Sequence, residues 1–252
     1  MPDSPIRLLE ADELPPVEIV NRRGYAPLLL IGDHGGNFIP RSFGGLGVDA
    51  ATLDRHIALD IGVEALGRVL SARLDAAFIR QRYSRLVIDC NRDPASPEAI
   101  PSVSDGTPIP GNASLTTADR QRRIAEIHAP YHAAIAEVLA ARPASTTLVS
   151  LHSFTPVMAG AARPWQIGVL HDGYNDGFAL RLRDWLVQNA GMLVGDNAPY
   201  RMDGTDYTVP RHAFGLARPY VELEVRQDIL GDAHGAAMVA ALLEAGITAV
   251  IA

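Results

Sequence analysis

The sequence predicts an α/β fold, a single three-layer domain in which a mixed, mostly parallel sheet carries helices on both faces. Strand and helix patterns alternate along all 252 residues without a linker, as they do in an α/β domain. The apolar run at 28–31 has Gly and Pro near its ends, which is typical of a buried strand, and it leads into His34 on a glycine turn. His152 follows a second apolar run in the same way. Open α/β sheets place their chemistry at this end of the strands.

The individual elements follow from hydrophobic patterns and turn residues. Residues 1–16 are polar and proline-bearing and are expected to form a surface arm on a domain that spans 1–252. Strands are predicted at 17–20 on a sheet edge, 28–31, 76–79, 86–89, 147–151, 166–170, 219–225 and 248–251. Helices are predicted at 51–73, at 117–142 with a kink at Pro130, at 176–189 with Asn175 as cap, and at 232–244. The long loops 93–115 and 195–215 are expected to be functional or mobile.

Composition narrows the class of protein. The net charge of −7 argues against a nucleic-acid surface, because phosphate binding needs clustered Lys and Arg. The single cysteine, Cys90, cannot form an internal disulfide, which fits a reducing compartment. We find no signal peptide and no apolar run of the roughly 20 residues that a membrane helix needs. A cytoplasmic protein without a membrane partner is therefore expected.

A metal site is the first chemical hypothesis. The ends of neighbouring strands lie about 5 Å apart, so His34 and His152 are expected to reach one metal ion, whereas either alone is equally well explained as a loop histidine. A catalytic zinc takes three protein ligands and keeps an open position. Asp60, on the predicted helix, is the preferred third ligand, the alternative being a carboxylate bonded to His56. Asn37 is a poorer choice, because a neutral amide binds zinc weakly.

Two glutamates and several arginines are candidates for the remaining roles. Glu222 and Glu224 share one face of a strand, and one of them is expected to be a general base unless the strand is an edge that turns them to solvent. Arg92, beside Asn91, is a candidate for binding a substrate carboxylate. Arg85 and Arg226 are candidates for polarising a carbonyl, with structural ion pairs as the alternative for all three arginines.

Six short motifs in order give the chain a family resemblance. They are DHGGNFIP at 33–40, HIALDIG at 56–62, SRLVIDCNRDP at 84–94, PYH at 130–132, SLHSFTP at 150–156 and ELEVRQDI at 222–229. Together they resemble the N-formylglutamate amidohydrolase family and, more distantly, the zinc carboxypeptidase, succinylglutamate desuccinylase and aspartoacylase group. The resemblance implies a zinc-carboxypeptidase-like fold and an amide hydrolase with one zinc ion.

The resemblance also implies roles for individual residues. His34 and His152 match the two metal histidines, and Glu224 matches the base. Asn91 and Arg92 match the pair that holds the substrate carboxylate. Asn37 stands where carboxypeptidases have a glutamate ligand, so Asp60 is the predicted third ligand. Asn37, Arg226 and His212 are further candidates for substrate contacts, with Tyr207 and Arg211 as loop contacts.

The sequence thus predicts a zinc-dependent amidohydrolase. Its expected substrate is a small anionic N-acyl amino acid such as N-formyl-L-glutamate, and Glu224 and Arg85 are the expected catalytic residues. Two alternatives stay open: a metal-free hydrolase that uses Ser153 or Ser84, and a binding protein that has lost catalysis. No Gly-x-Ser-x-Gly motif is present, which weighs against the serine enzyme. Homo-oligomerisation also stays open.

Overall fold

The computed structural model describes residues 7–251. Its strands are β1 (Val17–Val20), β2 (Leu28–Gly32), β3 (Ala77–Gln81), β4 (Val103–Ser104), β5 (Thr107–Pro108), β6 (Thr147–Phe154), β7 (Val157–Met158), β8 (Ala161–Ala162), β9 (Ile167–Leu170), β10 (Val194–Asp196) and β11 (Tyr220–Arg226). Its α-helices are α1 (Ala50–Leu53), α2 (Val63–Leu74), α3 (Thr117–Arg123), α4 (Ala129–Ala140), α5 (Gly177–Asn189), α6 (Thr208–Ala213) and α7 (Ala233–Val250). A π-helical turn, Ile124–His128, joins α3 to α4.

Seven strands form the central sheet in the order β1-β3-β2-β6-β11-β9-β10. Four of its six pairings are parallel, and the two antiparallel ones are β1 with β3 and β11 with β9. This confirms the predicted α/β class with a mixed, mostly parallel sheet, and the predicted edge strand at 17–20. Two small hairpins, β4–β5 and β7–β8, lie outside the sheet.

Side-chain alternation along the strands produces two cores, one on each face of the sheet. Leu28, Leu30 and Val149 pack on one face with apolar residues of α2, α5 and α7. Leu29 and Leu148 pack on the other face with apolar residues of α4 and α6. The sheet is therefore the middle of three layers. The face covered by α4 and α6 is also the one on which the candidate site lies.

The predicted helix at 51–73 is wrong in its first half. Helix α1 ends at Leu53, residues 54–62 form turns, and α2 begins at Val63 after Gly62. Gly62 has φ +83°, and a Cβ there would lie 2.3 Å from Leu230 Cβ, so the chain turns where only glycine fits. Asp60 therefore does not share a helix face with His56. Its backbone N–H instead donates to the carbonyl of His34.

Three further predictions are corrected. Residues 86–89 form no strand: 86 and 87 lie in a turn in which the Val87 N–H donates to the Ser84 carbonyl, and 88 and 89 are irregular. The predicted strand at 248–251 is the end of α7, because Leu243, Ile247 and Val250 continue one buried helical stripe. Asp176, not Asn175, is the N-cap residue of α5.

The remaining differences concern element ends. Strand β6 continues to Phe154, so His152 lies within a strand rather than after it. Helix α3 begins after Thr116, which forms a capping box with Asp119. The irregularity predicted at Pro130 is the π-helical turn just before it.

The N-terminal segment and helix α7 also differ from what the sequence predicts. Of the predicted arm, residues 1–6 lie outside the described residues, and Leu8 is buried with its N–H donating to Glu126. Helix α7 has the length and mean hydropathy of a membrane span, contrary to the sequence-based expectation that no run approached it. Eight of its residues are buried, as in the core helix of a globular domain.

Candidate active site

A cavity of about 590 Å³ opens where the parallel strands β2, β6 and β11 end. A volume in this range suits a small-molecule ligand. Its walls come from these strands and from the loops that follow β3, β6 and β10. Most of the lining is polar. The lining residues include His34, Asp60, Arg85, Asp89, Asn91, Arg92, His152, Tyr200, Arg201, Glu222 and Glu224.

The structure brings His34, Asp60 and His152 together at the floor of this cavity. Asp60 Oδ2 lies 3.2 Å from His34 Nδ1 and 2.8 Å from His152 Nδ1. One ligand atom from each of the three residues lies within 4.8 Å of the others, and all three side chains are buried. Three segments that are far apart in the chain therefore converge on one point.

Local backbone structure explains how each of the three residues reaches this point. His34 leaves β2 on a turn in which Gly36 passes so close to Arg82 that a Cβ would lie 2.1 Å from the Arg82 carbonyl oxygen. Only glycine fits there. The Asp60 N–H donates to the His34 carbonyl at 3.0 Å, which ties the 54–62 turns to the end of β2. His152 is held by the ladder between β6 and β11.

A second carboxylate lies behind each histidine. His34 Nε2 is 2.8 Å from Asp89 Oδ1, and His152 Nε2 is 3.2 Å from Asp33 Oδ2. Each ring therefore has its Nδ1 directed at Asp60 and its Nε2 at another carboxylate. A carboxylate that bonds to the second ring nitrogen of a metal-binding histidine orients the ring and raises its basicity.

Sequence reasoning missed Asp33 and Asp89 as site residues. The available signals were weak, since Asp33 directly precedes His34 and Asp89 ends the apolar run at 86–88. Residues 86–89, which were predicted as a strand, form none, and the backbone at Asp89 is held by its N–H, which donates to the Ala99 carbonyl at 2.7 Å.

The electrostatics of the cluster favour charge on the histidines and the carboxylates alike. Burial lowers the pKa of His152, but hydrogen bonds to Asp33 and Asp60 outweigh it and hold the pKa well above its ordinary value. Burial raises the pKa of Asp33, but its contacts with His152 outweigh this and lower the pKa to about 2. A metal ion that binds here has to displace the imidazole protons, since the histidine ligand of a metal is the neutral ring, and the surrounding carboxylates then balance the charge of the ion.

The donor set fits a zinc ion. Two imidazoles and one carboxylate are a known set for a catalytic zinc, and zinc bonds of 2.0–2.1 Å in a tetrahedron separate neighbouring ligand atoms by about 3.3 Å. The 2.8 and 3.2 Å separations around Asp60 are close to that value. Nearby, Glu224 Oε2 is buried without a hydrogen-bond partner among the described residues. An unpartnered buried carboxylate oxygen at this place is consistent with a ligand in the cavity.

Glu222 and Glu224 both line the cavity from β11. Strand β11 lies between β6 and β9, so the alternative of a solvent-facing edge strand is wrong. Glu222 is 2% exposed and Glu224 7% exposed. Burial raises the pKa of Glu224 to about 7 and that of Glu222 well above its ordinary value.

Arg85 is fixed beside the centre. Its Nε and Nη2 donate to Asp89 Oδ2 at 3.0 and 2.6 Å, and its Nη1 donates to Asp60 Oδ1 at 3.4 Å. Burial lowers the pKa of Arg85, but these carboxylates outweigh it and raise the pKa further. Arg85 therefore stays a cation at the wall of the cavity.

Asn91 and Arg92 also line the cavity, but both have partners within the protein. Asn91 Oδ1 accepts the N–H groups of Tyr207 and Thr208 at 3.0 and 2.9 Å, which fixes the start of α6. Arg92 Nη1 donates to the carbonyls of Asn91 and Thr205. Asn91 thus stabilises the wall itself and does not have its side-chain oxygen free for a substrate. Arg92 still contributes to the lining of the cavity.

Three predicted substrate-binding residues do not line the cavity. Asn37 Nδ2 donates to the Leu53 carbonyl, because the turn after His34 carries Asn37 away from the centre. Arg226 binds Asp228 near the surface. His212 is buried against His132, with 3.0 Å between His212 Nε2 and His132 Nδ1. The structure thus places all three side chains outside the lining of this cavity.

The loop contacts predicted beside His212 are likewise absent from the cavity lining. Arg211 donates to the Tyr207 hydroxyl, and the Tyr207 ring packs against His128 and His132.

Neither predicted serine has the geometry of a nucleophile. Ser84 Oγ donates to the Ala58 carbonyl, and Ser153 Oγ has no partner among the described residues. Ser150, which the sequence did not suggest, has its Oγ 3.1 Å from His152 Nε2. Ser150 is fully buried and does not line the cavity, so a substrate in the cavity cannot reach its hydroxyl.

Comparisons with known proteins agree with this architecture. A family model described as N-formylglutamate amidohydrolase matches residues 26–230. A solved gene product from Agrobacterium tumefaciens is 34% identical, with a TM-score of 0.92 over 97% of this chain and 98% of that chain. An N-formylglutamate amidohydrolase from Ralstonia eutropha is 22% identical and shares the fold, with a TM-score of 0.67 over 94% of this chain and 97% of that chain. No curated protein sequence matches the chain.

Proposed function

Because this chain belongs to the N-formylglutamate amidohydrolase family, we propose that it hydrolyses the amide bond of a small N-acyl amino acid, N-formyl-L-glutamate in the first instance. We further propose that the reaction depends on one zinc ion held by His34, Asp60 and His152. The observation that carries this proposal is the convergence of those three buried side chains on one point of the cavity. When bound, zinc supplies a Lewis acid and lowers the pKa of water to about 7.

Glu224 is the proposed general base. Its Oε2 has no partner among residues 7–251, and burial raises its pKa to about 7. A base with a pKa near the working pH takes a proton and gives it back most efficiently. Glu224 accepts a proton from the attacking water and returns it to the leaving amine nitrogen. Its position on β11, opposite His152 on β6, supports this role.

Arg85 and Arg92, in the wall of the cavity, are the proposed partners of the substrate oxygens. Arg85 stabilises the negative charge that develops on the carbonyl oxygen, since its two carboxylate partners hold the guanidinium in place before the reaction begins. Arg92 binds the α-carboxylate of the substrate, with its orientation set by the carbonyls of Asn91 and Thr205.

A hydrolysis assay with chelation tests the proposed function. We expect purified protein to release formate from N-formyl-L-glutamate, to lose this activity on treatment with a chelator, and to regain it on addition of zinc. Formate release and amine release should match one to one, because one amide bond is cleaved. Activity that is unaffected by the chelator would contradict zinc dependence, and absence of formate release would contradict the substrate.

A further inference from the structure

The proposed substrate has two carboxylates, and Arg92 accounts for only one of them. Three arginines line the cavity: Arg85, Arg92 and Arg201. Arg85 is paired with Asp89 and Asp60. Arg92 donates to two backbone carbonyls and lies near Glu98 and Asp206. A second carboxylate therefore needs a different cation.

Arg201 is available for that purpose. Within residues 7–251 it forms no side-chain hydrogen bond and no ion pair, although it lines the same cavity as the His34–Asp60–His152 centre. It is exposed to solvent at the cavity mouth. Arginine presents two parallel N–H donors that match a carboxylate.

The acidic residues in the outer wall already have other partners. Asp105 is paired with Arg55 and His56. Asp203 accepts the N–H and the hydroxyl of Thr205. The other two outer acids are paired with residues of the 91–92 segment, Glu98 with Arg92 and Asp206 with Asn91. None of these carboxylates is within ion-pair distance of Arg201, so its charge is not neutralised by the wall.

The backbone around Arg201 is held in place on both sides. The hydroxyl of Tyr200 accepts a hydrogen bond from Arg163 Nη1 at 2.7 Å, and the Arg163 guanidinium lies over the Tyr200 ring. On the other side, Met202 is 4% exposed and packs into the core. The loop thus presents the Arg201 side chain at a fixed place while leaving the side chain itself free to meet a ligand.

We propose that Arg201 selects substrates with an acidic side chain by binding the side-chain carboxylate of the N-acyl amino acid. This inference rests on the proposed function. It assigns the two carboxylates to different arginines, with Arg92 at the α-carboxylate and Arg201 at the second one. Selectivity then depends on a residue that takes no part in bond cleavage.

The test compares N-formyl-L-glutamate with N-formyl-L-glutamine, which has the same size but no side-chain charge. We expect Arg201→Gln to lower kcat/KM for the glutamate substrate by about tenfold or more, through a higher KM, because a charge-assisted pair is lost. kcat/KM for the glutamine substrate should stay within about twofold, since that substrate never formed the pair. Arg201→Lys should keep part of the preference, because it keeps the charge but loses the planar fork.

Arg22→Gln serves as the matched control. Arg22 is an arginine whose side chain is 51% exposed, outside the cavity and paired with Glu137. This substitution should leave kcat/KM unchanged for both substrates. If the wild type hydrolyses both substrates and Arg201→Gln keeps the full preference for glutamate, the assignment of Arg201 is overturned while the proposed function stands. If the wild type hydrolyses neither, the proposed function is overturned and this assignment falls with it.

Discussion

Asp60 contacts both histidines and an arginine of the site. One of its oxygens meets both histidines, and the other accepts a hydrogen bond from Arg85. Burial raises the pKa of Asp60, but the two histidines outweigh it and lower the pKa below its ordinary range. Asp60 is therefore anionic throughout the physiological range, as a zinc ligand has to be.

Glu224→Gln tests the proposed base. Glutamine keeps the shape of the side chain but cannot accept the proton, so kcat should fall by about 10²- to 10⁴-fold. The zinc content should be unchanged, because Glu224 is not one of the proposed ligands. Steady-state kinetics and metal analysis on the same preparation check both points. Near-normal turnover would show that another group is the base.

At the scale of elements, the π-helical turn and α4 support the wall that carries Asn91 and Arg92. His128 Nε2 donates to the Arg92 carbonyl at 3.1 Å, and His132 Nε2 donates to the Cys90 carbonyl at 2.9 Å. His132 Nδ1 is then an acceptor for the His212 Nε2–H. These bonds require a neutral ring at His132, whose Nδ1 has to accept, and burial lowers the pKa of His132 to about 3 and that of its partner His212 to about 4.

This arrangement predicts a loss of stability in acid. Folding lowers the pKa of both histidines below the unfolded value of about 6.5, so the unfolded chain binds more protons as pH falls. Their contribution is fully present above about pH 6.5 and is lost progressively as pH falls toward 4 and then 3. Between pH 7 and pH 5 the urea midpoint of the wild type should therefore fall more, or rise less, than that of His212→Gln, because the raised pKa values of His152 and Glu224 act in the opposite direction in both proteins. His234→Gln, on an exposed position of α7, should behave as the wild type does.

If the urea midpoint changed equally between pH 7 and pH 5 in His212→Gln and in the wild type, other groups would be the cause of the acid sensitivity.

The helix predicted at 51–73 shows that a hydrophobic pattern does not predict a break in a helix that depends on a distant residue. Its apolar spacing is real, and its second half is α2. The break depends on Gly62 meeting Leu230, a contact between residues far apart in the chain. A glycine within a helical pattern gives no sign of such a contact. Asp60 was therefore predicted as a ligand on a helix face, whereas a turn carries it to the histidines.

At the scale of the whole molecule, parallel strands explain why distant residues meet. Strands β2, β6 and β11 run in the same direction, so His34, His152 and Glu224 lie together at the carboxyl ends of these strands. Strand periodicity and turn residues were sufficient to predict this class of fold. The positions of Asn37, Arg226 and His212 depend on how loops turn and on which neighbours are buried. Local sequence does not encode those contacts, and the same holds for Arg201, which the loop after β10 places in the lining of the cavity.

The zinc content of the purified protein tests the central claim most directly. We expect about one zinc ion per chain in the wild type, a marked loss in Asp60→Asn because a neutral amide is a weak zinc ligand, and full retention in Asn37→Ala because Asn37 lies outside the cavity. Absence of zinc from the wild type, or its loss in Asn37→Ala with retention in Asp60→Asn, would contradict the assignment of the His34–Asp60–His152 centre.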